Sequence, residues 1–258
     1  MTETVTGALE SPTEGDLERA RRRALLLGAG VYLVTEESLS GGRRSEEIVE
    51  VALANGVRVI QVREKDGSAR RALEIARAVR LLTRRFDALL IVNDRIDIAL
   101  AADADGVHLG QGDIPVADAR RLLGDAALIG LSITDAAQLG SPDASVADCL
   151  GVGAIFPTGS KPDAALTGLA LIEAARAAVE AGAMRAPAGS RVPIVPIVAI
   201  GGITADNAAR AVFAGADVVA VISAITAAED PGRAAAAVLR AVRAVRAAAA
   251  ARPAESPR

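Results

Sequence analysis

From residue 31 onward the chain alternates two kinds of segment. Short apolar runs rich in Val, Ile and Leu recur at 31–35, 57–63, 88–94, 106–110, 127–132, 149–153, 194–201 and 217–223. Between them lie longer Ala, Arg, Leu and Glu segments of helical period, near 44–54, 68–84, 95–102, 115–123, 134–139, 166–182, 204–214 and 232–250. The first kind predicts strands, the second helices. Eight strands, each followed by a helix, predict a parallel sheet closed on itself: an α/β fold, a single (β/α)8 TIM barrel. An open doubly wound sheet would usually show fewer strands and a Gly-rich first turn. The VTEESLSGG at 34–42 lacks the GxGxxG pattern of such a turn. Residues 1–28 read as a polar extension with one short helix at 17–27, residues 29–250 as the barrel, and 251–258 as a flexible tail. The polar stretch 183–192 falls on the helix-to-strand side, which predicts a surface loop away from the chemistry.

Composition narrows the function classes. The 258 residues suit one barrel of about 250. Aromatics are only 2%, so Ala, Val, Leu and Ile must build the core, and base-stacking platforms for single-stranded nucleic acid are disfavoured. A net charge of −3 supplies no basic field for nucleic acid or anionic lipid. The single cysteine, Cys149, sits in an apolar run and reads as a core thiol rather than a nucleophile. One Cys and one His cannot fill a Cys/His zinc site. The first residues lack the basic-then-apolar order of a signal peptide, and no apolar run reaches the ~18 residues of a membrane span. A cytoplasmic protein acting on small molecules, with no nucleic-acid or membrane partner, is the expectation. Pairing of barrels through their outer helices is left open.

In such a barrel the chemistry sits at the C-terminal ends of the strands. Strand two ends in QVREK, where the two-residue alternation puts Gln61, Arg63 and Lys65 on one face. Strand three delivers Asn93 and Asp94, strand four Gln111 and Asp113, and strand five Ser132. After strand six come Thr158, Ser160 and Lys161; after strand seven, Gly201 and Gly202; after strand eight, Ile222 and Ser223. Asp94 and Asp113, on neighbouring strands, suit a hard cation such as Mg2+. Asp94 has a competing reading as the cap of the following helix. Arg63, Lys65 and Lys161 suit an anion of several charges, for which a diphosphate is the economical candidate. Gly201, Gly202 and Ser223 suit a phosphate held by backbone N–H groups, although a tight turn explains one glycine equally well. His108 lies within strand four and reads as a packed, hydrogen-bonded residue rather than a general base.

These pieces resemble the thiamine-phosphate synthase (thiamine-phosphate pyrophosphorylase) family. The matching stretches are QVREKDG (61–67), IVNDRIDIAL (91–100), ADGVHLGQGD (104–113), GLS (130–132), GAIFPTGSK (153–161), IVAIGGIT (197–204) and VISAI (221–225), in the family's order and spacing. The resemblance implies condensation of hydroxymethylpyrimidine diphosphate with hydroxyethylthiazole phosphate, or its carboxylated form, giving thiamine phosphate and diphosphate with Mg2+. It implies that Gln61, Arg63, Lys65 and Asn93 hold the pyrimidine diphosphate and that Asp94 and Asp113 bind Mg2+. Ser132 and Lys161 would touch the diphosphate or the developing charge. Thr158 and Ser160 would face the thiazole phosphate, with Gly202, Ile222 and Ser223 around its phosphate. Arg63, Lys65, Ser132 and Lys161 are the expected catalytic set. Two departures stand out: PTGSK replaces the common PTxTK, and the run from Ser132 is SITDAAQ where the family often has a histidine or another polar residue nearby. A thiazole tautomerase on the same barrel would need no diphosphate site, and a non-catalytic barrel binding a phosphorylated metabolite would not need Asp94, Asp113 and Lys161.

Overall fold

The computed structural model describes residues 11–65, 67–160, 165–182 and 194–251. The elements follow in order as α1 (Glu14–Ala29), β1 (Val31–Thr35), α2 (Ser45–Ala54), β2 (Val59–Val62), α3 (Ala69–Arg85) and β3 (Leu89–Asn93). Next come α4 (Ile96–Ala101), β4 (Gly106–Leu109), α5 (Val116–Leu123), β5 (Leu128–Ile133), α6 (Pro142–Val146) and β6 (Cys149–Val152). The last are α7 (Leu169–Glu180), β7 (Ile197–Ile200), α8 (Ala208–Phe213), β8 (Val218–Val221), α9 (Ser223–Thr226) and α10 (Pro231–Ala250). All eight strands are parallel and pair in sequence order, and β1 closes on β8 through Val31 against Val219, as the alternation of segments predicts. One apolar layer lies between sheet and helices. A second fills the barrel interior, with Tyr32, Val59, Leu89, Leu128, Cys149 and Val218 among its members. Cys149 is buried there, and burial pushes its thiol up to about 12, as suits a core thiol.

Among the elements that depart from the sequence expectation, three do so for a clear local reason. The helix before β1 is longer than 17–27, because Thr13 and Asp16 form a capping box that starts it at Glu14. After β5 the expected helix at 134–139 is a 3-10 turn over Ala136–Gly140. Ser141–Pro142 then opens a separate helix, α6: the proline suits a first helical turn but cannot continue a preceding one. Residues 165–168 do not join α7, since Thr167 is tied through N–H and Oγ1 to the Ala154 carbonyl at 2.9 and 3.0 Å. The expected loop at 183–192 lies outside the described residues.

A repeat that the opening pattern conceals organises the floor, where the strands begin. Ala-Asp precedes β4, β6 and β8, as Asp105, Asp148 and Asp217. Each carboxylate accepts from a backbone N–H of an adjacent strand: Leu90 at 2.8 Å, Ile129 at 2.9 Å and Ile197 at 2.8 Å. Each also pairs with an arginine from the helix before the preceding odd strand: Arg80 at 2.7 Å, Arg120, and Arg176 at 2.6 Å. Before β2 the repeat is broken by Arg58, whose guanidinium donates to the Leu53 and Val57 carbonyls. Helix α1 covers this floor. Its Leu26 enters the interior layer, a burial that contributes roughly 1.5–3 kcal/mol. Arg22 donates to the Asp105 and Ala126 carbonyls, and the fully buried Arg23 to Ile194.

Candidate active site

The opposite end of the barrel opens into a cavity of about 520 Å³. Gln61, Arg63, Lys65, Asn93, Asp94 and Asp113 line one side of it. Ser132, Thr158, Ser160, Gly202, Ile222 and Ser223 line the rest. Thus strand ends far apart in sequence bring nearly every candidate residue to one mouth. Lys161 lies outside the described residues. Gln111 turns aside from the cavity and donates from Nε2 to the Ser132 carbonyl at 2.6 Å.

The deepest polar layer comes from inward strand positions. Gln61 is buried, and its Nε2 donates to the Tyr32 hydroxyl at 2.8 Å, so its amide oxygen is the end left for a ligand. His108 Nε2 lies 2.9 Å from Ser132 Oγ. Glycine at 130 and 151 makes room for the imidazole, since a Cβ at either would come within 2.6 Å of the ring. Burial pushes His108 down to about 4, so the ring is neutral near pH 7. It is packed and hydrogen-bonded, as the sequence suggests, and it also forms part of the cavity wall.

Above that layer sit the charges. Asp94 does not cap α4; the position before that helix is Arg95, and no side chain caps it. Asp94 instead has φ +59 and donates its N–H to the His108 carbonyl at 2.9 Å. That left-handed backbone, uncommon outside glycine, turns the carboxylate toward Asp113. Asp113 is held in turn by the Gly110 N–H at 2.6 Å. Burial first, then the charge and hydrogen bond of Asp113, push the Asp94 carboxyl up; Lys65 and Arg63 oppose this. Lys65 Nζ lies 3.8 Å from Asp94. Two carboxyls that crowd each other in this way fit a divalent cation, which would let both ionise. Among the described residues no third His, Cys, Asp or Glu joins them, so other ligands would have to be waters or substrate oxygens.

Arg63 ion-pairs with Glu36, a residue the sequence reading did not single out. It lies in the loop after β1, and an anion facing an anion site gives no pattern to notice. On the far side of the mouth, the loops after β6 and β7 lie against each other through Ile155 N–H to Ile200 and Phe156 N–H to Gly201, both at 3.0 Å. Gly201 and Gly202 both have positive φ, and a Cβ at Gly202 would sit 2.3 Å from the Pro157 carbonyl oxygen. Backbone conformation and this contact account for both glycines, so their identity alone does not argue for a phosphate. Ser160 keeps a hydroxyl at that rim and reaches Ser223 Oγ at 3.3 Å.

Several known proteins similar to this chain carry the name of one activity. A protein of Haloarcula marismortui named thiamine-phosphate synthase is 49% identical over 190 residues, covering 74% of this chain and 85% of its own. One of Moorella thermoacetica with the same name is 47% identical over 191 residues, covering 74% and 84%. The solved structure of thiamine phosphate pyrophosphorylase from Pyrococcus furiosus superposes with a TM-score of 0.71 at 36% identity, over 89% of this chain and 98% of that one. Residues 31–225, from the first strand to just beyond the last, match the family model described as thiamine monophosphate synthase, and the chain belongs to that family.

Proposed function

We propose that the mouth holds both substrates of thiamine-phosphate synthesis at once, the pyrimidine diphosphate over β2 to β5 and the thiazole phosphate over the loops after β6, β7 and β8. The protein is a transferase of thiamine biosynthesis: it joins hydroxymethylpyrimidine diphosphate to hydroxyethylthiazole phosphate and releases diphosphate. The bond from the pyrimidine methylene to the diphosphate oxygen breaks, and a bond from the thiazole nitrogen to that methylene forms. No proton has to move in that exchange, which suits a site whose one histidine is held neutral.

Each group then has a task set by charge. Arg63, Lys65 and Lys161 meet the negative charge that builds on the leaving oxygens. Gln61 and Asn93 fix the pyrimidine diphosphate, and Ser132, oriented by His108, lies against it. Asp94 and Asp113 would hold Mg2+, which when bound supplies further neutralisation of the leaving diphosphate. Thr158 and Ser160 face the thiazole phosphate, whose phosphate rests near Gly202, Ile222 and Ser223. Holding both partners in one mouth removes much of the entropic barrier to their meeting. No helix among the described residues is long and apolar enough to cross a membrane, and we place the reaction in the cytoplasm.

The observation that carries this division is the position of the crowded Asp94–Asp113 pair beside Lys65 and Arg63, on one side of a cavity whose other side, among the described residues, is lined by hydroxyls, backbone and apolar side chains. The test is diphosphate release from purified protein given both substrates, with Mg2+ and then with EDTA. Release that needs both substrates and the metal is expected. Release with the pyrimidine diphosphate alone, or at the same rate in EDTA, would overturn the division.

A further inference from the structure

Glu36 is the first residue after β1, and it is buried to 7% exposure beside the mouth rather than turned to solvent. Its carboxylate pairs with Arg63, which follows β2 directly; the two side chains are 9% and 13% exposed. Strand β2 returns the grip from the opposite direction. Glu64 points away from the cavity, accepts from the Glu37 N–H at 3.2 Å and from Ser45 Oγ at 3.0 Å, and so ties down the same loop. Arg71 of α3 holds Glu37 at 2.8 Å. The loop after β1 is thus anchored before Glu36 is asked to hold anything.

An arginine side chain has many rotamers to lose, and a near-buried cation needs a partner. Simple stapling of β1 to β2 does not require Glu36. The strands already pair as far as Thr35 against Val62, and Glu64 fastens the loop beyond. We infer that Glu36 is a positioning residue: its carboxylate holds the Arg63 guanidinium in the free enzyme in the orientation that receives the diphosphate of the pyrimidine substrate. This inference rests on the reading above, in which Arg63 meets that diphosphate. It adds a residue from the loop after β1, the one strand to whose end that reading assigns no task.

The test is a double-mutant cycle on kcat/KM for the pyrimidine diphosphate. Glu36→Gln removes the charge and keeps the shape. It is expected to lower that kcat/KM about tenfold, equivalent to about 1.4 kcal/mol, and to leave the KM for the thiazole phosphate within about twofold. Glu36→Asp should recover part of the loss, and it carries the test if the glutamine variant folds poorly. In an Arg63→Gln background, Glu36→Gln should add nothing further, because the residue acts only through Arg63. Effects that add across the cycle, or a matching rise in the KM for the thiazole phosphate, would overturn the inference while leaving Arg63 in its place. An Arg63→Gln enzyme with an unchanged kcat/KM would overturn the reading of Arg63 and the inference with it.

Discussion

The two ends of this barrel use the same residue types to opposite purposes. At the floor, Asp105, Asp148 and Asp217 each hold an arginine and a backbone N–H, and Asp148 is only 1% exposed. The three carboxylates there find their cations within the protein. At the mouth, Asp94 and Asp113 face each other, and Lys65 stands 3.8 Å from Asp94, beyond hydrogen-bonding distance. The carboxylates at the floor are paired by the fold itself; the pair at the mouth is crowded. A carboxylate's role can therefore be read from whether its neighbours complete it.

The comparison is sharpest if each end is broken separately. Asp148→Ala leaves Arg120 without its carboxylate and the Ile129 N–H without an acceptor. It should cost about 3–5 kcal/mol of stability in denaturant melts. The kcat of the molecules that remain folded should stay within about twofold of wild type; a large fall would mean that the floor reaches the chemistry.

Asp94→Asn should do the reverse. Turnover should fall by about 10²–10³, the scale of losing one strong transition-state contact, while binding of the thiazole phosphate persists. In EDTA at neutral pH the variant should melt a few degrees higher than wild type, because it relieves the crowded pair. Mg2+ should raise the melting temperature of wild type and not of the variant. Lower stability in EDTA would contradict the picture of a strained pair.

The middle layer has its own signature in pH. His108 is held near 4, against about 6.5 when unfolded. Because the folded value is depressed for a base, the unfolded chain takes up the proton first. Stability from this group is therefore full above about pH 6.5, is lost as pH falls toward 4, and changes no further below that. The slope of melting temperature against pH over that window should be shallower in His108→Gln. An identical slope would show that the imidazole is not held neutral. The smallest effect is expected at the far rim. Ser223→Ala removes one hydroxyl from the proposed phosphate site, where backbone N–H groups are expected to carry most of the binding, and should raise the KM for the thiazole phosphate only a few-fold, under about 1 kcal/mol.

How legible these features are in the sequence follows from their physical periods. Strands buried on both faces read as apolar runs, so the barrel shows in the order of segments. Its mouth shows because several runs end in polar residues that the two-residue alternation assigns to a face; Gln61, Asn93 and Ser132 are found in this way. Glu36 is hidden because no period governs a loop residue, and only the fold brings it to Arg63. The floor repeat was within reach, since Ala-Asp stands before β4, β6 and β8. Its arginine partners, 25, 28 and 41 residues upstream, follow no constant spacing. Gly201 and Gly202 are ambiguous in the sequence: positive φ at both and close neighbouring atoms are reasons for glycine that hold with or without a phosphate.

Helix α1 has a consequence in time as well as in space. Its partners at the floor include the carbonyls of Asp105, Ala126 and Ile194, and Arg246 of α10 donates back to the Leu27 carbonyl at 3.0 Å. Synthesis proceeds from the N-terminus, so α1 leaves the ribosome long before the last of these exists. This early segment can complete its seat only after nearly the whole chain has emerged, and until then Leu26 and Arg23 lack the surroundings that bury them.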